Sequence, residues 1–187
     1  MNNTVKIGIG FALSWCIIKY AYFLYDPLAD IKPMVMINIL FMLCSIAVGL
    51  YYYKRNKTGE SNALLDIKNA MKAGFPYTLV VCVFLYFYYD KINPEYNQRQ
   101  LSDMKYEMKK VLDDPVKFEE LKKSNEGFEV KTKEEIFSEM SKSSEAFYSA
   151  RSITTISMLA MLILSILYSI LVTVVYRRIV FRDWTWL

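Results

Sequence analysis

The sequence predicts an all-α membrane protein with four transmembrane helices and an extracytoplasmic helical hairpin between the third and fourth spans. Two observations predict it. The segments 34–53, 74–89 and 152–176 contain no charged residue, and 7–25 contains only Lys19. Soluble helices of that length need a polar face, so lipid is the solvent. The loops between them alternate in net charge, basic on one side and acidic on the other. The 187 residues also include no histidine, which removes the commonest general base, the commonest metal ligand and every Ser–His or Cys–His nucleophile pair. Most familiar enzyme classes are thereby disfavoured.

A bilayer core of about 30 Å takes roughly 20 apolar residues at 1.5 Å each. The spans 7–25, 34–53 and 152–176 meet that length. The third, 75–89, is short, and Lys91 with its neighbouring tyrosines would snorkel to lengthen it. Pro76 is expected in its first turn, where a missing N–H costs nothing. The first span is too long for a secretory signal, and 26–30 lacks a small-x-small cleavage site, so it reads as a retained anchor. These spans divide the chain into 1–89, with a basic loop at 54–73, an outer segment 90–151, and 152–187, the fourth span with a basic aromatic tail.

The charges orient the spans. One side carries Lys6, Lys54, Arg55, Lys57, Lys68, Lys72, Arg177, Arg178 and Arg182 against Glu60, Asp66 and Asp183, a net of +6; the other side has a net of −3. By the positive-inside rule both termini are cytoplasmic and 90–151 lies outside. Tyrosines at the span ends fit interfacial belts. Tyr20, Tyr22, Tyr25, Tyr86, Tyr88 and Tyr89 would ring the outer interface. Tyr51, Tyr52, Tyr53, Tyr77, Tyr176, Trp184 and Trp186 would ring the inner one.

Within the outer segment, Asn93-Pro94 ends the third helix. Leu101, Met104, Met108 and Val111 recur at helical spacing. Asp114 is expected to cap a new helix with Pro115 at its first position. Asn125-Glu126-Gly127 reads as a turn. Thr132 and Glu135 have capping-box spacing before an apolar stripe of Ile136, Phe137, Met140, Phe147 and Tyr148. No breaker follows before Tyr176, so the last helix is expected to run unbroken for about 44 residues, ~66 Å. The Met-rich stripe either binds a partner helix or packs within the hairpin.

Lys19 is the most informative single residue, because a charge within a span costs roughly 2.5–3.5 kcal/mol on insertion scales. It lies about 9 Å below the outer boundary. Asn38 comes to comparable depth on the second span, and Thr154, Thr155 and Ser157 on the fourth. These five form a candidate intramembrane polar site for a lipid phosphate or a partner subunit. The alternative is a snorkelling lysine with interhelical hydrogen bonds. On the basic side, 61–73 and the tail from Arg177 can lie as interfacial helices. Lys54, Arg55, Lys57, Lys68, Lys72, Arg177, Arg178 and Arg182 would there contact anionic lipid or a partner. Topology already explains this charge, so a nucleic-acid partner is not expected. Cys16, Cys44 and Cys82 share one depth without a CxxC, a Met pair or a His, and read as packing residues rather than metal ligands. No catalytic residue, metal or cofactor is expected, since no phosphate loop, nucleophile elbow or dinucleotide fingerprint occurs.

The stretch 62–96, NALLDIKNAMKAGFPYTLVVCVFLYFYYDKINPEY, combines a basic amphipathic lead-in, the AMKAG turn, an aromatic span and INPE. It resembles a family of small Bacteroidota inner-membrane proteins, number four-one-nine-nine in the domain-of-unknown-function series, and the likeness in span order covers most of the chain. The family has no established activity and no catalytic residues to carry over. Its members neighbour polyisoprenyl-phosphate glycosyltransferases and other envelope enzymes. The resemblance therefore implies a bacterial inner-membrane location with 90–151 periplasmic. It also implies a non-catalytic accessory subunit in cell-envelope biogenesis, partnered by an integral membrane protein such as a glycosyltransferase or translocon, with phospholipid or polyprenyl lipid around it. A small lipid or ion carrier built around Lys19 is the competing expectation.

Overall fold

Asn2 opens the first helix by accepting a hydrogen bond from the Thr4 N–H at 3.2 Å, and α1 then runs over Asn3–Tyr25. In this computed structural model, which describes residues 2–55 and 62–180, the other helices are α2 (Lys32–Arg55), α3 (Ala63–Phe87), α4 (Pro94–Asp113), α5 (Pro115–Ser124), α6 (Lys133–Phe147) and α7 (Ala150–Val175). No strand occurs among the described residues. Four helical stretches, Asn3–Tyr25, Lys32–Arg55, Ala63–Ile92 and Ala150–Ile179, are long and apolar enough to cross a membrane, so the chain is a multi-pass membrane protein. It divides into two units, one of residues 1–85 with 155–187 and the other of 86–154.

In the first unit, the short 26–31 connection makes α1 and α2 neighbours. The Trp15 indole N–H donates to the Met34 carbonyl at 3.1 Å, and Phe11 meets Phe41 edge-on at 6.0 Å. Small residues let α1, α2 and α3 approach closely, as membrane helices do where apolar burial supplies no net drive. A Cβ on Gly8 would overlap the Ala73 carbonyl, and one on Gly49 would crowd the Ala73 and Thr4 side chains.

The third span departs from expectation. The Asn62 side chain caps α3 by accepting from the Leu65 N–H at 2.7 Å, and the helix continues unbroken to Phe87. Residues 63–73 belong to this helix rather than to a separate interfacial one, and Pro76 lies in the helix interior rather than in its first turn. Its missing N–H leaves the Lys72 carbonyl without an i+4 donor, a loss that membrane helices tolerate. Tyr77 faces the bundle interior, wholly buried, with its hydroxyl donating to Asn38. Tyr88 and Tyr89 are buried too, unlike the exposed Tyr20, Tyr25, Tyr51, Tyr52 and Tyr86. The tail indoles Trp184 and Trp186 lie outside the described residues.

In the second unit, a π-helical turn over Tyr88–Ile92 ends the third span, and Asn93 caps α4 with Pro94 at its first position. Asp114 caps α5, with Pro115 at its first position. A 3₁₀ turn occupies Glu126–Phe128, and Thr132 and Glu135 form a reciprocal capping box at α6. Leu112, Phe118 and Ile136 make the core, with Leu121, Phe128, Phe137 and Met140 packed on it. Of the α4 stripe Met108 is buried, with Leu112 beside the stripe, while Met104 and, on α6, Phe147 stay exposed. The last helix is not continuous. α6 stops at Phe147, and Ser149 starts α7 by accepting from the Ser152 N–H at 3.2 Å. A serine followed by Ala-Arg-Ser is helix-compatible in sequence, but its hydroxyl also competes for backbone N–H groups and so caps.

Two outcomes follow. Gly8→Ala is expected to destabilise the chain by about 1–3 kcal/mol, because the Ala73 backbone cannot move aside cheaply. Gly10→Ala, with open space around its Cβ, should be neutral or slightly stabilising. Thermal unfolding in detergent distinguishes the pair, and equal effects would remove the close-approach argument. In the second unit, the Lys117 backbone N–H holds the Asp114 carboxyl below its ordinary range, and the Thr132 backbone N–H does the same for Glu135. Both groups have depressed folded values. Their stabilisation is complete above the ordinary carboxylate range near ~4 and disappears as pH falls through the depressed values. Hydrogen exchange, corrected for intrinsic rates, should show the first turns of α5 and α6 opening there before the middle of α4.

Candidate functional site

Lys19 is 3% exposed within the first unit. Its ammonium lies 5.9 Å from the centroid of the Trp15 ring, which is set in place by its bond to Met34 and an edge-on contact with Phe84 at 6.0 Å. A cation over an indole face is attracted by the ring quadrupole, more strongly when water is excluded. Asn38 is committed elsewhere. Its side-chain oxygen accepts from the Tyr77 hydroxyl at 2.6 Å, and its amide donates to the Met161 sulfur at 3.6 Å. Asn38 thus ties α2 to both α3 and α7. Thr155 is exposed and Ser157 half-buried, and Thr154 belongs to the second unit, with a buried hydroxyl that has no hydrogen-bond partner among the described residues.

The basic side holds a group that the sequence reading placed on the surface. Asp66, near the start of α3, has no exposed area. One of its carboxylate oxygens receives the Lys54 ammonium of α2 at 2.8 Å and the Arg177 guanidinium, just beyond α7, at 2.9 Å. Two of the cations expected at lipid headgroups therefore bind a carboxylate instead. Arg55, Arg178 and Lys68 are exposed and Lys72 is half-buried. Lys57 and Arg182 lie outside the described residues. The signal for Asp66 was its register: Asp66, Ala70, Ala73, Tyr77 and Val81 share one helix face, and all five are fully buried.

A second periodic signal runs along α7. Met161, Ser165, Ser169, Thr173 and Arg177 recur every four residues, a stripe that winds slowly around the helix and carries the contacts to Asn38 and Asp66. Ser165 lies against Gly74, where a Cβ would overlap its hydroxyl. The Ser169 hydroxyl donates back to the Ser165 carbonyl at 2.7 Å. Small hydroxylated residues on that stripe let α7 pack tightly against its neighbours. Cys16 and Cys82 are buried free thiols, and Cys44 is half-buried. Among the described residues no three His, Cys, Asp or Glu side chains cluster as a metal site. What this arrangement does chemically is hold four helices in register through paired polar groups.

Removing Asp66 would strand two cations. Asp66→Ala is expected to destabilise the chain by about 3 kcal/mol or more, in the range for breaking a buried pair. Asp66→Leu combined with Lys54→Met should cost less, because Arg177 retains a partly exposed route to solvent. A double variant as unstable as Asp66→Ala, judged by thermal unfolding, would show that the carboxylate's role is not charge pairing.

The family model described as "Protein of unknown function (DUF4199)" matches residues 6–178. No curated protein and no solved structure matches the chain. The match takes in all four spans, both partners of Asp66 and the whole segment between the third and fourth spans, so the chain belongs to the DUF4199 family.

Proposed function

We propose that the chain is a non-catalytic accessory subunit of a complex in the bacterial inner membrane, acting in cell-envelope biogenesis. Its termini are cytoplasmic and residues 90–151 periplasmic, from the excess of Lys and Arg on one side. The observation that carries this reading is the commitment of the bundle's own polar groups. Asp66 is held by Lys54 and Arg177, and Asn38 by Tyr77 and Met161. Groups used to lock helices together suit a rigid frame for a partner better than a reaction centre. The preferred partner is an integral enzyme such as a polyprenyl-phosphate glycosyltransferase, a choice that rests on the resemblance at 62–96.

The carrier reading has one observation in its favour, the burial of a lysine inside a membrane bundle. The Lys19 contact with Trp15 gives that lysine a structural role as well.

Capture of the full chain from native membranes in mild detergent is the test, with mass spectrometry of proteins and lipids. We expect a stoichiometric integral membrane enzyme or translocon component. Lys19→Leu should lower the amount of folded chain recovered while leaving the partner-to-chain ratio unchanged. A chain recovered alone with one enriched lipid, or a Lys19→Leu chain that accumulates normally without function, would overturn the subunit reading.

A further inference from the structure

A groove of about 450 Å³ opens between the start of α1 and the first half of α3. Val5 forms one wall, Ile67, Met71 and Phe75 the other, and the aliphatic stems of Lys68 and Lys72 complete an almost wholly apolar lining. The volume falls in the range of roughly 300–1,000 Å³ typical of small-molecule sites. We propose that this groove binds one anionic phospholipid, an acyl chain lying along the apolar wall and the phosphate at its rim, where the Lys68 and Lys72 stems end. The site goes beyond the accessory role above and does not depend on any partner protein.

Charge complementarity identifies the occupant. Lys68 and Lys72 are one helical turn apart, so their side chains are neighbours and repel each other. Asp66, on the same turn of α3, does not neutralise them, because it is fully buried and engaged by Lys54 and Arg177. Neither lysine has a carboxylate within salt-bridge distance among the described residues. Lys72 is also held in place. Its ammonium donates to the Asn69 side-chain oxygen at 2.7 Å, and the Asn69 amide donates to the Leu65 carbonyl at 2.7 Å. An ammonium has three N–H donors, so two remain for a phosphate. A ligand that is apolar along its length and anionic at one end matches this lining. The groove lies on the side that the charge rule makes cytoplasmic, where anionic lipid is drawn to basic residues. A partner helix would match the apolar wall but would not need two uncompensated ammonium groups.

The test uses purified full-length chain in nanodiscs of mixed phosphatidylglycerol and phosphatidylcholine, with native mass spectrometry of the lipid retained after gentle ejection. We expect one phosphatidylglycerol retained at least fivefold over phosphatidylcholine. Lys68→Gln with Lys72→Gln should abolish the preference, since glutamine keeps an N–H for Asn69 but carries no charge. Lys123→Gln with Lys142→Gln, exposed cations of the second unit, should leave it intact. Ile67→Trp should reduce retention of both lipids by filling the groove. Equal retention of the two lipids by the unaltered chain, or the same loss from the Lys123 and Lys142 pair, would overturn the proposal. In native membranes, a photo-cross-linker at Met71 should yield a lipid adduct. A protein adduct would assign the groove to a partner helix and overturn it as well.

Discussion

Asp66 is a carboxylate with no exposed surface at the end of a membrane-spanning helix, and the rest of the bundle is arranged around that constraint. Moving a carboxylate from water into a low-dielectric interior costs on the order of 20 kcal/mol in the idealised limit, and several kcal/mol after relaxation. The cost is tolerable only where opposite charge comes from outside the helix itself. Lys54 brings it from α2 and Arg177 from the end of α7, both on the same carboxylate oxygen. Three helix ends are thereby held at one level. A buried ion pair contributes little net stability, but a mispaired one is expensive, so its effect falls on register more than on depth of the energy well. Close packing then sets the separations: Gly8 against Ala73, Gly49 against Ala73 and Thr4, Gly74 against Ser165.

This pairing also explains which features the sequence revealed. The four spans were legible because segments free of charge have few explanations other than lipid. The caps at Asp114-Pro115 and Thr132–Glu135 were legible because their chemistry is complete within four residues. The start of the third span was not. The expected start came from the charge-free segment 74–89, yet Asp66, Lys68 and Lys72 all lie inside the helix, the carboxylate neutralised by residues 12 positions before it and 111 after it. Beginning the helix only after Lys72 is what put Pro76 in a first turn. The break at Tyr148-Ser149 was missed for a different reason. Serine is acceptable inside a helix and favoured at its start, and only the geometry of the chain on either side decides between the two.

The candidate polar site was half legible. Lys19 and Asn38 were identifiable because polar groups inside a span are uncommon, but the partners that define their roles, Trp15, Tyr77 and Met161, are apolar or aromatic and carry no signal of their own. The every-fourth spacing of Ser165, Ser169, Thr173 and Arg177 was present in the sequence, hidden by the general hydrophobicity of the span. Each hydroxyl is unremarkable alone, and the winding stripe they form is visible only when Arg177 is counted with them.

The polar residues of the membrane unit therefore fall into two groups with different consequences. Asp66, Lys54, Arg177 and Asn38 are bonded to other helices of the same chain, and changing them alters how the bundle is assembled. Lys68 and Lys72 lie on α3 beyond that buried carboxylate, with their charge uncompensated among the described residues. The two groups are linked by the register of one helix. Asp66 faces the bundle, and positions two and six residues further on lie on other sides of α3, so the packing that buries the carboxylate also fixes where the two lysines are presented. Recognition of anything outside the bundle by α3 therefore depends on the packing within it.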